Sequence, residues 1–175
     1  MAKAWVTSDT HFGHHNIIEY CQRPFDNVDQ MNRVMMKNWN DVVAPDDTVI
    51  HVGDFAMGPI DLHQGYFNQL NGQKYLIQGN HDKKHTLTLG WCGVFDDFRM
   101  VTPYGDVFFS HHPIMHPDYI SKLEDDGVVL FIHGHQHNKP ERSIRGNRID
   151  VGVDAWGFRP VRLKELIEKY HKTHS

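Results

Sequence analysis

Short apolar runs that stop abruptly at small or polar residues recur along the chain. Ala4-Trp5-Val6-Thr7-Ser8 runs into Asp9, Thr48-Val49-Ile50-His51-Val52 into Gly53-Asp54, and Lys74-Tyr75-Leu76-Ile77 towards Gly79-Asn80. Val107-Phe108-Phe109 runs into Ser110-His111, and Val128-Val129-Leu130-Phe131-Ile132 into His133-Gly134-His135. These runs predict short strands, that of Thr48–Val52 a buried one. Further strands are predicted over 94–101 and 148–153.

Between the runs the period changes. Val28, Met31, Met35, Trp39 and Val42 recur every three or four residues, predicting a core-facing helix that ends near Pro45. Asn27, followed three residues later by Gln30, has the form of a capping box. A short helix is predicted over 16–21, stopped by Pro24, and another over 61–70, closed by Asn71-Gly72. Val161, Leu163, Leu166, Ile167 and Tyr170 form the apolar stripe of a closing helix. Helices and strands in this order predict an α/β fold with mixed sheets flanked by helices. No linker or repeat interrupts residues 1–175, so one domain is expected. Strand ends rich in Gly, Asp, Asn and His, gathered on one sheet edge, are where such folds build their sites.

Composition narrows the function. The net charge of −4 argues against a chain that holds long nucleic acid or anionic lipid by bulk electrostatics. No stretch approaches the ~20 apolar residues of a membrane helix, and the first dozen residues leave no room for a signal peptide. Cys21 and Cys92 are too few and too far apart for a disulfide framework or a paired-thiol metal site. A cytoplasmic protein with no membrane partner is the expectation. Histidine changes the picture: there are 15, clustered at His11, His14 and His15, at His111, His112 and His116, and at His133, His135 and His137. Imidazole is the commonest metal ligand and the side chain best suited to proton transfer near neutral pH.

Five clusters carry the candidate chemistry: Asp9-x-His11, Gly53-Asp54, Gly79-Asn80-His81-Asp82, Ser110-His111 and Gly134-His135-x-His137. Residues two apart at a strand end point to one side, so Asp9 and His11 share a target, as do His135 and His137. Gly-Asn-His-Asp has a chance expectation of ~0.007 in a chain of this composition, whereas Gly-Asp alone is an ordinary turn dipeptide. Asp9, His11, Asp54, Asn80, His111, His135 and His137 offer oxygen and imidazole donors and no thiolate. That set suits manganese, iron, cobalt or zinc rather than calcium or magnesium. Seven donors are too many for one tetrahedral ion and suit two ions ~3.5–4 Å apart that share a carboxylate. His81, beside Asn80, is then free for proton work, with Asp82 placed to orient it.

These motifs, in this order, resemble the calcineurin-like metallophosphoesterases. The stretch from Ser8 through His14 and Asn16 to Cys21-x-Arg23-Pro24-Phe25 is similar to a short phage and bacterial branch of that family. Val151-Gly152-Val153-Asp154-x-Trp156-Gly157-x-Arg159-Pro160 has the same character. The resemblance implies a four-layer α-β-β-α sandwich of two mixed sheets. It implies one divalent ion on Asp9, His11, Asp54 and His137, and a second on Asp54, Asn80, His111 and His135, with Asp54 shared. Manganese is the first choice, with iron, zinc, cobalt or nickel as alternatives. Catalysis would use a hydroxide bridging the pair, charge neutralisation by Asn80, and His81 as proton donor to the leaving oxygen.

The expected substrates are small phosphodiesters or monoesters, nucleotides among them. A metal-dependent nuclease acting on strand ends or short strands is the enzymatic alternative, and a non-catalytic binding scaffold is the alternative of another class. His14, Arg23 and His112 are expected to meet substrate, Arg because its guanidinium grips phosphate in two places. The other reading of Arg23 is a pairing with a nearby acid. His51 and His133, inside apolar runs, are expected to be hydrogen-bonded core residues. His15, His63, His85 and His116 are expected at the surface. Trp156 and Phe158 read as core aromatics, with base stacking as the second reading.

Overall fold

The computed structural model describes residues 2–137 and 144–174. The first sheet is built from β1 (Ala4–Thr7), β2 (Thr48–His51), β3 (Gln73–Ile77) and β4 (Gly93–Phe95), all parallel. The late strand β10 (Val161–Arg162) lies antiparallel against β1, giving the order β10-β1-β2-β3-β4. The second sheet has the order β5-β6-β7-β9-β8, from β5 (Asp97–Met100), β6 (Asp106–Ser110), β7 (Val128–His133), β8 (Ile144–Arg145) and β9 (Arg148–Asp150). Its central strands β6, β7 and β9 are parallel and the two outer strands antiparallel.

Side-chain alternation assigns the layers. Val6, Ile50, Val107, Phe109, Leu130, Ile132 and Ile149 meet in the core between the sheets. Trp5 and Val49 point the other way, into a second core with Met31, Met35 and Trp39 of α2 (Val28–Val42) and Phe67 of α3 (Ile60–Gln69). Phe108 and Phe131 face Ile120 and Leu123 of α5 (Pro117–Asp125) on the far side. Both faces of each sheet are therefore covered, which explains why the runs read as continuously apolar. The result is a four-layer α-β-β-α sandwich of two mixed sheets. Its remaining helices are the short α1 (Ile17–Tyr20) and α4 (Lys84–Leu87), and α6 (Leu163–His174), whose Leu163, Leu166 and Ile167 join the core between the sheets. No helix among the described residues is long and apolar enough to cross a membrane.

Several expectations change. The single strand over 94–101 is two strands in different sheets: the chain leaves the first at Phe95 and enters the second at Asp97. Val161 is not part of the closing helix but belongs to β10. The strand over 148–153 stops at Asp150, and Val153–Ala155 form a single 3-10 turn. Asn27 caps α2 through Gln30 N–H (2.9 Å), but the Gln30 amide oxygen returns to the N–H of Asp26 (2.5 Å). His63 is buried rather than exposed, with Nδ1 3.1 Å from the Thr86 hydroxyl. His51 and His133 are buried and hydrogen-bonded, to Thr10 and to the Gly134 carbonyl.

Candidate metal centre

Six strands, β1, β2 and β3 of one sheet and β6, β7 and β9 of the other, end towards one edge, and backbone bonds tie their ends together, within each sheet and across the two. Asp9 N–H donates to Gly53 O (3.0 Å), Val153 N–H to Ser8 O (3.0 Å) and Gly134 N–H to His111 O (3.0 Å). The approach is close enough to require glycine. A Cβ on Gly134 would lie 2.0 Å from Ser8 Oγ, and one on Gly79 2.3 Å from Asp54 Oδ1. Of the seven non-glycine residues with positive φ among the described residues, five are predicted ligands: Asp9, His11, Asp54, His135 and His137, at +45° to +71°. Such conformations cost ~1–3 kcal/mol each and survive where surrounding contacts enforce them.

The two aspartates are held in the same manner. Asp9 Oδ2 accepts the His135 N–H (2.9 Å), and Asp54 Oδ1 accepts the His81 N–H (2.8 Å). The other oxygen of each, Asp9 Oδ1 and Asp54 Oδ2, is buried without a hydrogen-bond partner among the described residues, as are both ring nitrogens of His11. Asp54 Oδ2 lies 3.5 Å from His11 Nε2 and 3.4 Å from His111 Nε2, so one oxygen sits between two imidazoles. Asp9 Oδ1 faces His137 Nε2 at 3.7 Å. Donor atoms of Asp9, His11 and His137 lie within 4.8 Å of one another, as do those of Asp9, Asp54 and His111. Asn80, exposed at the rim, places Oδ1 3.0 Å from His111 Nε2 and 3.1 Å from His135 Nδ1. Buried carboxylate and imidazole atoms that face one another at 3.4–3.7 Å are costly to hold together unless a proton or a metal cation joins them. The donor set fits divalent metal.

For two of the rings a supporting bond fixes which nitrogen faces inward. His111 Nδ1 donates to the Val52 carbonyl (2.8 Å), so its Nε2 is the inward-facing nitrogen. His137 Nδ1 sits 3.3 Å from Asp154 Oδ2, which likewise leaves Nε2 facing Asp9. This is the usual carboxylate or carbonyl support of a metal-binding histidine.

Electrostatics follow the packing. Burial raises the Asp9 carboxyl to about 6. Burial would also raise Asp54, but the adjacent His111, the His81 N–H and His11 together hold it below the ordinary range. Burial works against the charge on His111 and His137 too. It is outweighed by Asp54 and Asp9 for the first, pushed up to about 9, and chiefly by Asp154 for the second, pushed up to about 10. His11 is lowered by burial, and His135 falls to about 4 through burial and its neighbours His112 and His111.

Two expected site residues do other work. Arg23 is buried and does not face the centre with free donors. Its Nε and one terminal nitrogen bond Asp154 (2.8 and 2.9 Å), and its terminal nitrogens donate to the Asp9 and Thr10 carbonyls (2.7 and 3.0 Å). The pairing with an acid is the arrangement present. Asp82 does not orient His81. It accepts the N–H groups of Asp54, Phe55 and Gly79 (2.8–2.9 Å) and so ties two ligand loops together. His81 itself lies with its ring centroid 5.5 Å from that of His11. His14 is half-buried 5.4 Å from His11, and His112 is exposed 4.2 Å from His135. Three residues near the site had no predicted role: Asp154, Asp150 and Cys21, the last a buried thiol whose sulfur is within 4.8 Å of donor atoms of His137 and Asp154. Asp154 and Cys21 stand inside the two branch-like motifs, which was the available signal.

A family model described as a calcineurin-like phosphoesterase superfamily domain matches residues 3–151. The chain is 35% identical to the uncharacterized protein MJ1445 of Methanocaldococcus jannaschii, over 98% of this chain and 93% of that protein. It is 34% identical to the gene 66 protein of Mycobacterium phage L5, over 99% of this chain and 97% of that protein. Among solved structures, it is similar to a protein of unknown function, AQ665 from Aquifex aeolicus. That likeness has TM-score 0.78 and 25% identity, and covers 97% of this chain and 100% of the other.

Proposed function

The chain belongs to the calcineurin-like phosphoesterase superfamily, and from that premise we propose that it hydrolyses small phosphoesters, nucleotide esters among them, with two divalent ions. The observation that carries this reading is the pair of buried oxygens, Asp9 Oδ1 and Asp54 Oδ2, that have no hydrogen-bond partner among the described residues and are set among imidazole nitrogens. In the proposed arrangement Asp9, His11, Asp54 and His137 hold one ion and Asp54, Asn80, His111 and His135 the other. When bound, such a pair polarises a phosphoryl oxygen and lowers the pKa of water.

The remaining chemistry belongs to the chain. Asn80 sits at the rim between His111 and His135, where its side-chain amide can meet a phosphoryl oxygen. His81 presents its ring beside His11 and gives a proton to the leaving oxygen. Asp82 acts at one remove, because it fixes the backbone on which Asp54 and Gly79 ride. His14 stands beside His11 and His112 beside His111 and His135, and both are proposed to contact substrate.

The test is elemental analysis of the purified protein, then hydrolysis of bis-p-nitrophenyl phosphate, p-nitrophenyl phosphate and nucleotides with manganese, cobalt or zinc restored after chelation. Two ions per chain and metal-restored turnover are expected, with both ions weakened in Asp54→Asn. Absence of hydrolysis with every metal, or an Asp54→Asn variant that keeps two tight ions, overturns the reading.

A further inference from the structure

The loop over residues 153–160 has two sides. Its inner side supports the metal centre: Asp154 holds Arg23 and His137, and Phe158 packs edge-on against Phe25 with the Arg23 guanidinium 5.8 Å from its ring. Its outer side, with Trp156 and Arg159, lines a cavity of about 620 Å³. The other walls come from Trp5 of β1, Asn38 of α2, Arg162 of β10 and Glu165 of α6. None of these residues belongs to the ligand set, so this is a separate place on the molecule.

The chemistry of the walls is specific. Both indole N–H groups are satisfied inside the protein, Trp5 by Asp47 Oδ2 (2.8 Å) and Trp156 by the Asp150 carbonyl (2.7 Å). The two rings are therefore held in place and offer a ligand only their carbon surface. The cations are free by contrast: among the described residues neither Arg159 nor Arg162 has an ion-pair partner. Asp41, also on the wall, is engaged by Lys37 (2.5 Å), whereas Glu165 has no ion-pair partner among the described residues. Two fixed indoles favour a flat aromatic ring. Two guanidinium groups favour phosphate. A lone carboxylate accepts from hydroxyl or amino groups and disfavours a bare polyanion. The volume is in the range of small-molecule sites, ~300–1,000 Å³.

We propose that this cavity binds a nucleotide, with its base against Trp5 and Trp156, its phosphate between Arg159 and Arg162, and a hydroxyl or amino group on Glu165. The nucleotide is either free or the terminal residue of a strand. The assignment stands on the cavity alone and does not depend on the activity proposed above.

The test is titration of 5′-AMP, adenosine, inorganic phosphate and a 5′-phosphorylated dinucleotide onto the metal-loaded full chain, read by the indole N–H signals of its tryptophans in NMR. The same titrations are made on Asp54→Asn, where binding at the metal centre is impaired. Saturable shifts of Trp5 and Trp156, with Trp39 and Trp91 unmoved, are expected from AMP in both proteins. Arg159→Ala/Arg162→Ala should weaken that binding at least tenfold while leaving the melting temperature and the indole signals of Trp39 and Trp91 unchanged, which shows that the variant folds. A dinucleotide that binds more tightly than AMP identifies a strand end, and one that binds no better identifies the free nucleotide. Adenosine or phosphate alone binding as tightly as AMP overturns the proposal. So does an AMP response confined to the metal centre, or one indifferent to both arginines.

Discussion

Arg23 and Asp154 lie 131 residues apart and form a doubly bonded ion pair, 2.8 and 2.9 Å, with side chains 0% and 4% exposed. The pair joins the connection between α1 and α2 to the segment after β9. Arg23 also donates to the carbonyls of Asp9 and Thr10, while Asp154 supports His137. Removal of one partner strands a buried charge, a loss of about 3–5 kcal/mol. Arg23→Ala should therefore unfold about 3 kcal/mol more easily in denaturant. Arg23→Lys should recover little, because one ammonium cannot reach acceptors spread over a planar fork. A loss below 1 kcal/mol for Arg23→Ala would show that the pair is not what joins these loops.

Gly134 tests how closely the two sheet edges must meet. An added methyl would overlap Ser8 Oγ at 2.0 Å and Asp9 Oδ2 at 2.5 Å. Ser8 cannot turn aside freely, since its hydroxyl donates to the Val52 carbonyl at 2.6 Å. Gly134→Ala should cost about 1–3 kcal/mol and, because Asp9 Oδ2 must shift, release the metal held through Asp9. Thermal unfolding and metal content of the variant, measured together, check this. Full metal occupancy at unchanged stability would contradict it.

What could be read from the chain was what local spacing determines. The strand runs end where the structure ends them to within a few residues, and the apolar stripe of α2 buries Met31, Met35 and Trp39 as its period requires. The donors Asp9, His11, Asp54, Asn80, His111, His135 and His137 are drawn together because parallel strands release their ends on one edge. Partnership across long separations was not legible. Nothing near Arg23 in sequence says that its donors go to Asp154, and nothing near Asp82 says that its carboxylate is fully occupied by backbone. The run over 94–101 hid a change of sheet because both halves are apolar enough to be strand, and only the Asp96-Asp97 pair marks the crossing. His63 shows the same limit: its immediate neighbours in the helix, Leu62 and Gln64, are exposed, and only the buried Phe67 four residues on marks its face as the inner one.

Loading the centre should release protons. His111 is pushed up to about 9 and His137 to about 10, so in metal-free protein at pH 7.5 both rings carry a proton that a metal must displace. Asp9, raised only to about 6, is already ionised there. Calorimetric titration of manganese in two buffers of different ionisation enthalpy should report protons released by both rings at pH 7.5, and fewer as the starting pH is raised towards 9. The stability of metal-free protein follows the same sign. A histidine raised above its unfolded value of ~6.5 stabilises fully below that pH and ceases to do so as pH rises through 9 to 10. Heats independent of buffer at pH 7.5 would exclude protonated His111 and His137.

His81 combines two roles that one substitution separates. Its main-chain N–H holds Asp54 Oδ1 at 2.8 Å, and that bond survives removal of the side chain. His81→Ala should therefore keep both metal ions and the fold. The imidazole is the part proposed to protonate the leaving oxygen, a contribution of about 10²–10⁴ where the leaving group is a poor one. An alkyl phosphodiester needs that proton, whereas p-nitrophenolate departs without it. The variant should lose at least about 100-fold in kcat on a methyl or nucleoside ester and under about tenfold on bis-p-nitrophenyl phosphate. Equal losses on the two substrates, with metal content intact, would move His81 from proton transfer to substrate positioning. Loss of metal would instead mean that the side chain, and not only the backbone, secures Asp54.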